Sequence, residues 1–254
     1  MLPRRQVQVS VTLAPLGDVA AAMAWAAANG IRGVQLSATH PQTRPRELGV
    51  SARRDLRATL SRHELQASGI DLWIPPAHYG DPAHADRAVD AVRAACALAS
   101  DLGRMPVSLE LPPPAMAADG TPVPAESIAA IAAAADRSGV TIADASGALG
   151  CPWPPIGICM DPAAVLANGE DPVSAAAKAG RRLAAARLVD LLRSGMRGPP
   201  GGKDGARLDL LGYRVALEAA GFGGLPVIDA RQWQDPHGGV LACMHAWTAV
   251  LADP

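Results

Sequence analysis

Short apolar runs alternate with longer amphipathic segments along the whole chain. Short runs rich in Val and Ile are typical of buried strands, and longer segments with helical periodicity are typical of surface helices. This pattern predicts strands over residues 7–13, 33–36, 70–74, 107–111, 140–143, 156–160, 184–189 and 225–228. It predicts helices over residues 18–29, 51–67, 81–102, 124–138, 208–220 and 236–251. The composition of residues 184–189 is also typical of a helix, so the sequence leaves open whether this segment is the seventh strand or a helix.

Eight strands separated by helices in 254 residues predict an α/β fold, a (β/α)8 TIM barrel that forms one domain over residues 1–254. The alternative is a doubly wound sheet, which would need a nucleotide-binding glycine turn after the first strand. The sequence Ala14-Pro15-Leu16-Gly17 is not such a turn. The link between Asp144 and Ile156 is short and rich in Gly and Pro, so we expect a shortened or missing fifth helix.

Composition and charge exclude several classes of function. The formal net charge is -1, and no basic stripe with interleaved aromatic residues is present, so nucleic-acid binding is not expected. No apolar segment reaches the roughly 20 residues that span a bilayer, so no membrane partner is expected. Polar residues interrupt the apolar segment after Arg4 and Arg5, which disfavours a secretory signal. The chain has no C-x-x-C pair, and its four cysteines are typical of reduced thiols in a cytoplasmic protein: Cys96, Cys151, Cys159 and Cys243.

Three predicted strands end in an aspartate, namely those before Asp144, Asp161 and Asp229. The carboxyl ends of barrel strands meet at one rim, where barrel enzymes place their active sites, so we expect these side chains to converge there. Each aspartate has an alternative interpretation as a loop residue or helix N-cap. Asp161 in particular precedes Pro162, a natural first helical residue.

Several short motifs occur in an order that is similar to a known family. They are Gly33-Val34-Gln35-Leu36, Asp81-Pro82-Ala83-His84-Ala85-Asp86-Arg87, Ile158-Cys159-Met160-Asp161-Pro162, Gly205-Ala206-Arg207-Leu208-Asp209 and Leu217-Glu218-Ala219-Ala220-Gly221-Phe222-Gly223-Gly224. On these motifs the chain resembles the xylose isomerase-like TIM barrels over nearly its full length. This superfamily contains sugar and sugar-phosphate isomerases and epimerases, and also apurinic endonucleases.

The resemblance implies one divalent metal ion, Mn, Mg, Zn or Co. Its ligands would be a Glu ending strand five, an Asp-x-x-His after strand six, a His-x-x-Asp at strand seven and a Glu ending strand eight. Here Asp144, Asp161 and Asp229 stand at the acidic positions and would be the metal ligands if a metal is retained. Ala164 and Arg187 stand at the histidine positions. Because neither side chain can bind a metal ion, we expect no cofactor and instead an Arg187 guanidinium among the carboxylates.

The same comparison predicts the catalytic residues, in which Asp144 and Asp229 form the acid–base pair and Arg187 polarises a carbonyl or enediolate oxygen. Arg187 has an alternative interpretation as part of a solvated basic helix face with Arg181 and Arg182. Asp190, three residues after Arg187, stands at the Asp position of the strand-seven motif and has an alternative interpretation as an ordinary ion-pair partner.

Four further residues are candidates for substrate binding. His78 follows the third strand, Trp153 could form a sugar-stacking wall, and Lys203 and Arg207 could hold a phosphate. Each has an alternative interpretation: His78 as a surface histidine and Trp153 as a plug for the missing fifth helix. Lys203 and Arg207 could instead belong to a loop that is only solvated. Glu110, near the end of strand four, could supply another acid, although its direction is not settled by the sequence.

The favoured function is proton transfer between adjacent carbons of a sugar or sugar phosphate, at a diverged and metal-free site. The alternative is a non-catalytic barrel that binds carbohydrate or acts as a scaffold, so enzyme status stays open. An apurinic endonuclease is disfavoured, because that chemistry needs a histidine-rich zinc centre and a basic DNA-binding face. The expected partner is a small carbohydrate or sugar phosphate, the expected location is the cytoplasm, and homo-oligomerisation stays open.

Overall fold

A computed structural model describes residues 7–116, 122–123, 125–147, 153–201 and 206–250. Eight parallel strands close a barrel, in which each strand pairs with its neighbours in sequence and the last pairs with the first. The strands are β1 (Val7–Thr12), β2 (Ile31–Ser37), β3 (Gln66–Asp71), β4 (Val107–Leu109), β5 (Ile142–Asp144), β6 (Ile156–Met160), β7 (Leu183–Leu188) and β8 (Val227–Ile228). The predicted (β/α)8 TIM barrel is therefore confirmed.

Helices surround the barrel. They are α1 (Val19–Ala28), α2 (Val50–Arg62), α3 (Ala85–Leu102), α4 (Glu126–Ser138), α5 (Pro162–Ala167), α6 (Pro172–Ala179), α7 (Leu210–Ala219) and α8 (Pro236–Ala249). Two antiparallel ribbons extend from the loops, one pairing Ala115–Met116 with Pro122–Val123 and one pairing Asp190–Leu191 with Arg197–Gly198. Among the described residues, no helix is both long and apolar enough to cross a membrane.

The helices depart from the regular barrel pattern at two places. The described residues between β5 and β6, 145–147 and 153–155, contain no helix, which agrees with the Gly- and Pro-rich link. Two helices that the sequence pattern did not predict, α5 and α6, lie instead between β6 and β7. Each is shorter than a typical helix, and Gly169 with a φ of 77° separates them, so no long periodic pattern is present to detect.

Two predicted helix bounds are wrong. The helix predicted over 51–67 ends at Arg62, because Glu64 adopts a positive φ of 54° and Gln66 already begins β3. The helix predicted over 81–102 begins only at Ala85, and the Asp81 side chain instead accepts a hydrogen bond from the Ala83 amide in the preceding turn.

The open question of the seventh strand is settled, because residues Leu183–Leu188 form β7 in register with β6 and β8. The alternative of a basic helix face is wrong, since Arg187 is buried within a strand while Arg181 and Arg182 are exposed. At the β6–β7 contact, a Cβ at Gly157 would lie 2.8 Å from the Arg182 carbonyl oxygen. A glycine therefore permits the close pairing of the two strands that position Asp161 and Arg187.

Candidate functional site

Four aspartates lie at the carboxyl ends of the barrel strands. Asp71 and Asp144 are the last residues of β3 and β5, and Asp161 and Asp229 directly follow β6 and β8. All four are buried, with at most 4% of their surface exposed. Because the strands are parallel, these ends form one rim, which is the catalytic face of barrel enzymes. The predicted convergence of Asp144, Asp161 and Asp229 on this rim is therefore seen.

Arg187 on β7 lies among three of these carboxylates. Its Nη1 donates to Asp161 Oδ2 at 2.7 Å, and its Nη2 donates to Asp71 Oδ1 at 3.3 Å. The same Nη1 lies 3.7 Å from Asp229 Oδ2. The guanidinium is thus surrounded by acid from three different strands. The Arg187 side chain is 7% exposed, so these contacts form in a place from which water is largely excluded.

Two further arginines complete the cluster. Arg231, two residues beyond Asp229, donates from Nε and Nη2 to the two oxygens of that carboxylate, both at 2.7 Å, and from Nη1 to Asp71 Oδ2 at 2.6 Å. Arg197, on the ribbon after β7, donates from Nη2 to Asp161 Oδ2 at 2.7 Å and to Asp229 Oδ2 at 3.4 Å. We call these three aspartates and three arginines the Asp–Arg cluster: Asp71, Asp161, Asp229, Arg187, Arg197 and Arg231.

The charges of the Asp–Arg cluster balance, and the pKa values of its members follow from burial and from each other. Burial favours protonated Asp229 and Asp161, yet the surrounding guanidiniums outweigh it and hold the pKa of both carboxyls below the usual range. For Asp71 burial dominates and raises the pKa. The carboxylates raise the pKa of Arg187 above its ordinary value despite its burial, so it stays a permanent cation.

Asp161 has both of the functions that its sequence allowed. Its Oδ1 accepts a hydrogen bond from the Ala164 amide and caps α5, with Pro162 at the first helical position. Its Oδ2 accepts from Arg187 and Arg197 in the cluster. The cap fixes the orientation of the carboxylate, so the second oxygen is directed at the guanidiniums.

Asp144 stands apart from the Asp–Arg cluster. Its Oδ1 accepts hydrogen bonds from the amides of Leu111 and Ser146, and its Oδ2 accepts from the Ser146 hydroxyl. Burial raises the pKa of Asp144, and the negative charge of Glu110 adds to this rise. None of the described arginines contacts Asp144 in the way that they contact the other three aspartates.

Five members of the Asp–Arg cluster, all except Asp161, line a cavity of about 360 Å³ at the mouth of the barrel, here called the mouth cavity. This volume is within the range of small-molecule sites. Trp73, 62% exposed, and Glu110, also exposed, line the cavity beside the cluster. The lining residues are Ala14, Ser37, Thr39, Asp71, Trp73, Glu110, Arg187, Arg197, Asp229, Arg231 and Gln232. The open question about Glu110 is thereby settled, since its position faces this cavity.

Three of the four predicted substrate-binding residues, His78, Trp153 and Arg207, do not line the mouth cavity. His78 lies in a short 3-10 helix, stacks on His84 with ring centroids 4.5 Å apart, and lines a neighbouring cavity of about 370 Å³. Trp153 is half-buried and packs against the core, which favours its alternative as a plug. Arg207 is exposed on the loop before α7, and Lys203 lies outside the described residues.

Asp190 fixes the loop that follows β7. It is fully buried and its carboxylate accepts hydrogen bonds from the backbone amides of Leu191, Arg207 and Leu208. These contacts anchor the base of the ribbon that carries Arg197. Asp190 is therefore a structural residue rather than the partner of a side chain in the described part of the protein.

Sequence reasoning missed four residues of this site. Asp71 follows Ile70 at the end of a strand, which is the same signal that identified the other aspartates. Trp73 follows two residues later, at the same rim. Arg197 and Arg231 belong to loops after strands seven and eight, and only the three-dimensional structure shows that they point back over the barrel.

Fold and site together define a (β/α)8 barrel with a small-molecule cavity at the carboxyl ends of its strands. Residues 23–143 match the family model described as xylose isomerase-like TIM barrel. This matched segment agrees with the resemblance to that family that the sequence motifs indicated. No curated protein sequence matches the chain.

Solved structures of the same fold cover nearly the whole chain. A xylose isomerase domain protein from Planctomyces limnophilus is 18% identical, with a TM-score of 0.70, covering 97% of this chain and 96% of its own. D-psicose 3-epimerase with D-tagatose, from Clostridium cellulolyticum H10, is 13% identical with a TM-score of 0.74, covering 95% and 98%. The probable 3-DHS dehydratase AsbF from Bacillus anthracis is 12% identical with a TM-score of 0.70, covering 94% and 98%. At these identities the likeness shows the fold.

Proposed function

We propose that this protein is a sugar isomerase or epimerase that moves a proton between adjacent carbons of its substrate at a site without a divalent metal. The Asp–Arg cluster beside the mouth cavity is the observation that supports this proposal most strongly. One buried and two half-buried guanidiniums beside a cavity can stabilise the negative charge that develops on a carbonyl oxygen when a neighbouring carbon loses its proton. In this proposal Arg187 keeps the polarising function predicted from the sequence, now together with Arg197 and Arg231.

The donor set at the rim does not fit the divalent ion that the family resemblance implies. Arg187 and Ala164 replace its imidazole ligands, and guanidinium groups already contact the carboxylate oxygens of Asp161 and Asp229. A metal ion placed there would have to displace at least one permanent cation. Among the described residues, no group of three His, Cys, Asp or Glu side chains is arranged to hold a metal. The mechanism proposed here therefore contains no metal-dependent step.

The acid–base function of Asp144 and Asp229 stays a prediction. Asp229 lines the cavity, but the arginines lower the pKa of its carboxyl far below the usual value, and such a carboxylate is a weak base. The contacts of Asp229 therefore favour a role in holding the guanidiniums in place over a role in removing a proton. Asp144 has a raised pKa, which suits a general acid, although its oxygens are occupied by Leu111 and Ser146.

The charges of the mouth cavity favour an unphosphorylated sugar. Each arginine of the cluster is paired with aspartates, and Glu110 adds a further negative charge to the lining. The cavity therefore has no surplus positive charge for a phosphate dianion. The exposed indole of Trp73 offers a flat apolar surface for the carbon face of a sugar ring. Phosphate binding by Lys203 and Arg207, a cytoplasmic location and homo-oligomerisation stay predictions.

A solvent-exchange experiment tests this proposal. The protein is mixed in heavy water with a panel of ketopentoses and ketohexoses that includes D-psicose and D-tagatose, the sugars named for the epimerase of the same fold. We expect deuterium to enter the carbon next to the carbonyl of at least one ketose, as followed by NMR. No deuterium uptake above the protein-free rate for any ketose would contradict the proposal.

The second candidate is a barrel that binds a carbohydrate without turning it over. It is favoured by one observation, the complete pairing of the cluster carboxylates with arginines, which leaves them poorly suited to remove protons. If a ketose of the panel binds without exchange, and the double variant Asp144→Asn and Asp229→Asn still binds it, the binding protein is the better description.

A further inference from the structure

Glu110 occupies a distinctive position in the mouth cavity. It follows β4, is exposed to solvent, and lines the cavity together with Arg197 and Arg231. In the pairing of β3 with β4, Asp71 lies opposite Ser108, so Trp73 and Glu110 are both two residues beyond this pair. Trp73 and Glu110 therefore occupy equivalent positions beyond the ends of neighbouring strands, and both line the cavity that the Asp–Arg cluster also lines.

The other carboxylates at the cavity already have strong partners. Asp71 accepts hydrogen bonds from Arg187 and Arg231, and both oxygens of Asp229 accept from Arg231. No described residue donates a hydrogen bond to Glu110 or forms an ion pair with it. Glu110 is thus the carboxylate of the cavity lining, within the described residues, that is free to accept a proton from a ligand.

Arg197, which lines the same cavity, has hydrogen-bond donors that its ion pairs do not use. Arg197 contacts Asp161 and Asp229 through Nη2, and its Nε and Nη1 have no partner among the described residues. Its side chain is partly exposed, in contrast to that of Arg187. An unpaired carboxylate and an unpaired guanidinium edge on one cavity are the two groups that removal of a proton next to a carbonyl requires.

We propose that Glu110 is the catalytic residue that moves the proton, and that Arg197 holds the carbonyl oxygen, an inference that rests on the proposed function. The Glu110 carboxylate takes the proton from the carbon next to the ketose carbonyl. The electron pair of the broken C–H bond forms the C=C bond of an enediolate, and the carbonyl π pair moves to the oxygen beside Arg197. Glu110 then delivers its proton to the former carbonyl carbon, and the C=C pair forms the new C–H bond. The hydroxyl proton of the neighbouring carbon passes to the oxygen beside Arg197, so the carbonyl group moves to the neighbouring carbon. Nothing is oxidised or reduced overall, and no co-reactant is consumed.

The test compares Glu110→Gln with the wild type and with Glu64→Gln. Glu64 is also exposed, but it precedes β3 and so lies at the opposite end of the barrel. Deuterium uptake into the panel ketoses is followed by NMR, and ketose binding is measured by calorimetry. We expect Glu110→Gln to lower the exchange rate by about 100-fold or more. Ketose affinity should change only a few-fold and the unfolding midpoint should stay the same, while Glu64→Gln exchanges at the wild-type rate.

The outcomes separate this inference from the function on which it rests. If the wild type exchanges and Glu110→Gln exchanges equally fast, the assignment of Glu110 is wrong while the proposed function stands. If the wild type does not exchange any ketose of the panel, the proposed function is wrong and the assignment falls with it. A loss of exchange with a parallel loss of ketose binding would assign Glu110 to binding and would also overturn its catalytic role.

Discussion

The Arg187 guanidinium and the Asp161 carboxylate form a buried ion pair at the centre of the barrel mouth, with Nη1 and Oδ2 2.7 Å apart. The two residues come from neighbouring strands, β7 and β6, whose close pairing depends on Gly157. Removing both charges from water is costly, and the cost is offset only because each group has further partners. Asp71 and Arg197 supply these partners, so the pair is part of a balanced cluster.

Replacement of Arg187 by methionine will destabilise the protein. The substitution keeps much of the side-chain volume but leaves Asp71 and Asp161 buried with fewer positive neighbours. We expect a loss of about 3 kcal/mol in the free energy of unfolding, measured by urea denaturation at neutral pH. The control is Arg181→Met, since Arg181 is exposed, and it should change stability by no more than about 0.5 kcal/mol. Equal effects of the two variants would contradict a buried cluster.

The stability of Asp161→Asn relative to wild type will depend on pH. Because the pKa of Asp161 is lower in the folded protein than its ordinary value near 4, the folded state binds this proton less tightly than the unfolded chain. The stabilisation is present above pH 4 and is lost as the pH falls below it. Asp161→Asn should therefore be less stable than wild type at about pH 7, by roughly 2 kcal/mol, with a smaller difference near pH 2. A difference that is the same at both pH values would contradict the ion pairs.

For Asp144→Asn, the stability difference from wild type will change with pH in the opposite direction. Burial raises the pKa of Asp144, so the folded state binds this proton more tightly than the unfolded chain, and wild-type stability is lost as the pH rises from the ordinary value to the raised one. Asparagine retains an oxygen for the Leu111 and Ser146 amides and carries no charge. We expect Asp144→Asn to gain stability relative to wild type between low and neutral pH in urea titrations. A relative loss over this interval would show that Asp144 is held as a charged partner.

The tryptophans Trp73 and Trp153 will separate binding from stability. Trp73 is exposed in the mouth cavity, so Trp73→Ala should leave the unfolding free energy within about 0.5 kcal/mol of wild type. It should weaken binding of a panel ketose about tenfold in calorimetry, because a stacking surface is lost. Trp153→Ala should cost about 2 kcal/mol of stability, since Trp153 packs against the core. If Trp153→Ala instead weakened ketose binding and Trp73→Ala instead lowered stability, Trp153 would be the sugar-stacking wall.

The barrel could be predicted from the sequence because its strands are short apolar runs and each is followed by a helical segment or a turn. The helix α1, predicted over residues 18–29, illustrates this, since Asp18 caps its first turn and Asn29 ends it. The helices α5 and α6 could not be predicted in the same way. Their few turns are held by the caps of Asp161 and Asp171 and by packing of small alanine side chains, which leave little periodic signal.

The candidate site could be predicted in part. Strand ends placed Asp161, Asp229 and Arg187 together, and the replacement of histidine by arginine indicated that a guanidinium would stand among the carboxylates. Arg197 and Arg231 were not predicted, since the direction of a loop side chain depends on contacts between distant segments. Asp144 was expected in the cluster, yet the amides of Leu111 and Ser146 hold its carboxylate away from the arginines.

The metal content of the purified protein tests the central claim, that arginine side chains occupy the place of the divalent ion. The protein is expressed in medium supplemented with Mn, Mg, Zn and Co, purified without chelator and subjected to elemental analysis. The double variant Ala164→His with Arg187→His, which restores both imidazoles, is treated identically as the matched comparison. We predict no stoichiometric metal in the wild type and a gain of metal in the double variant. One tightly bound Mn, Mg, Zn or Co ion per wild-type chain would contradict the account.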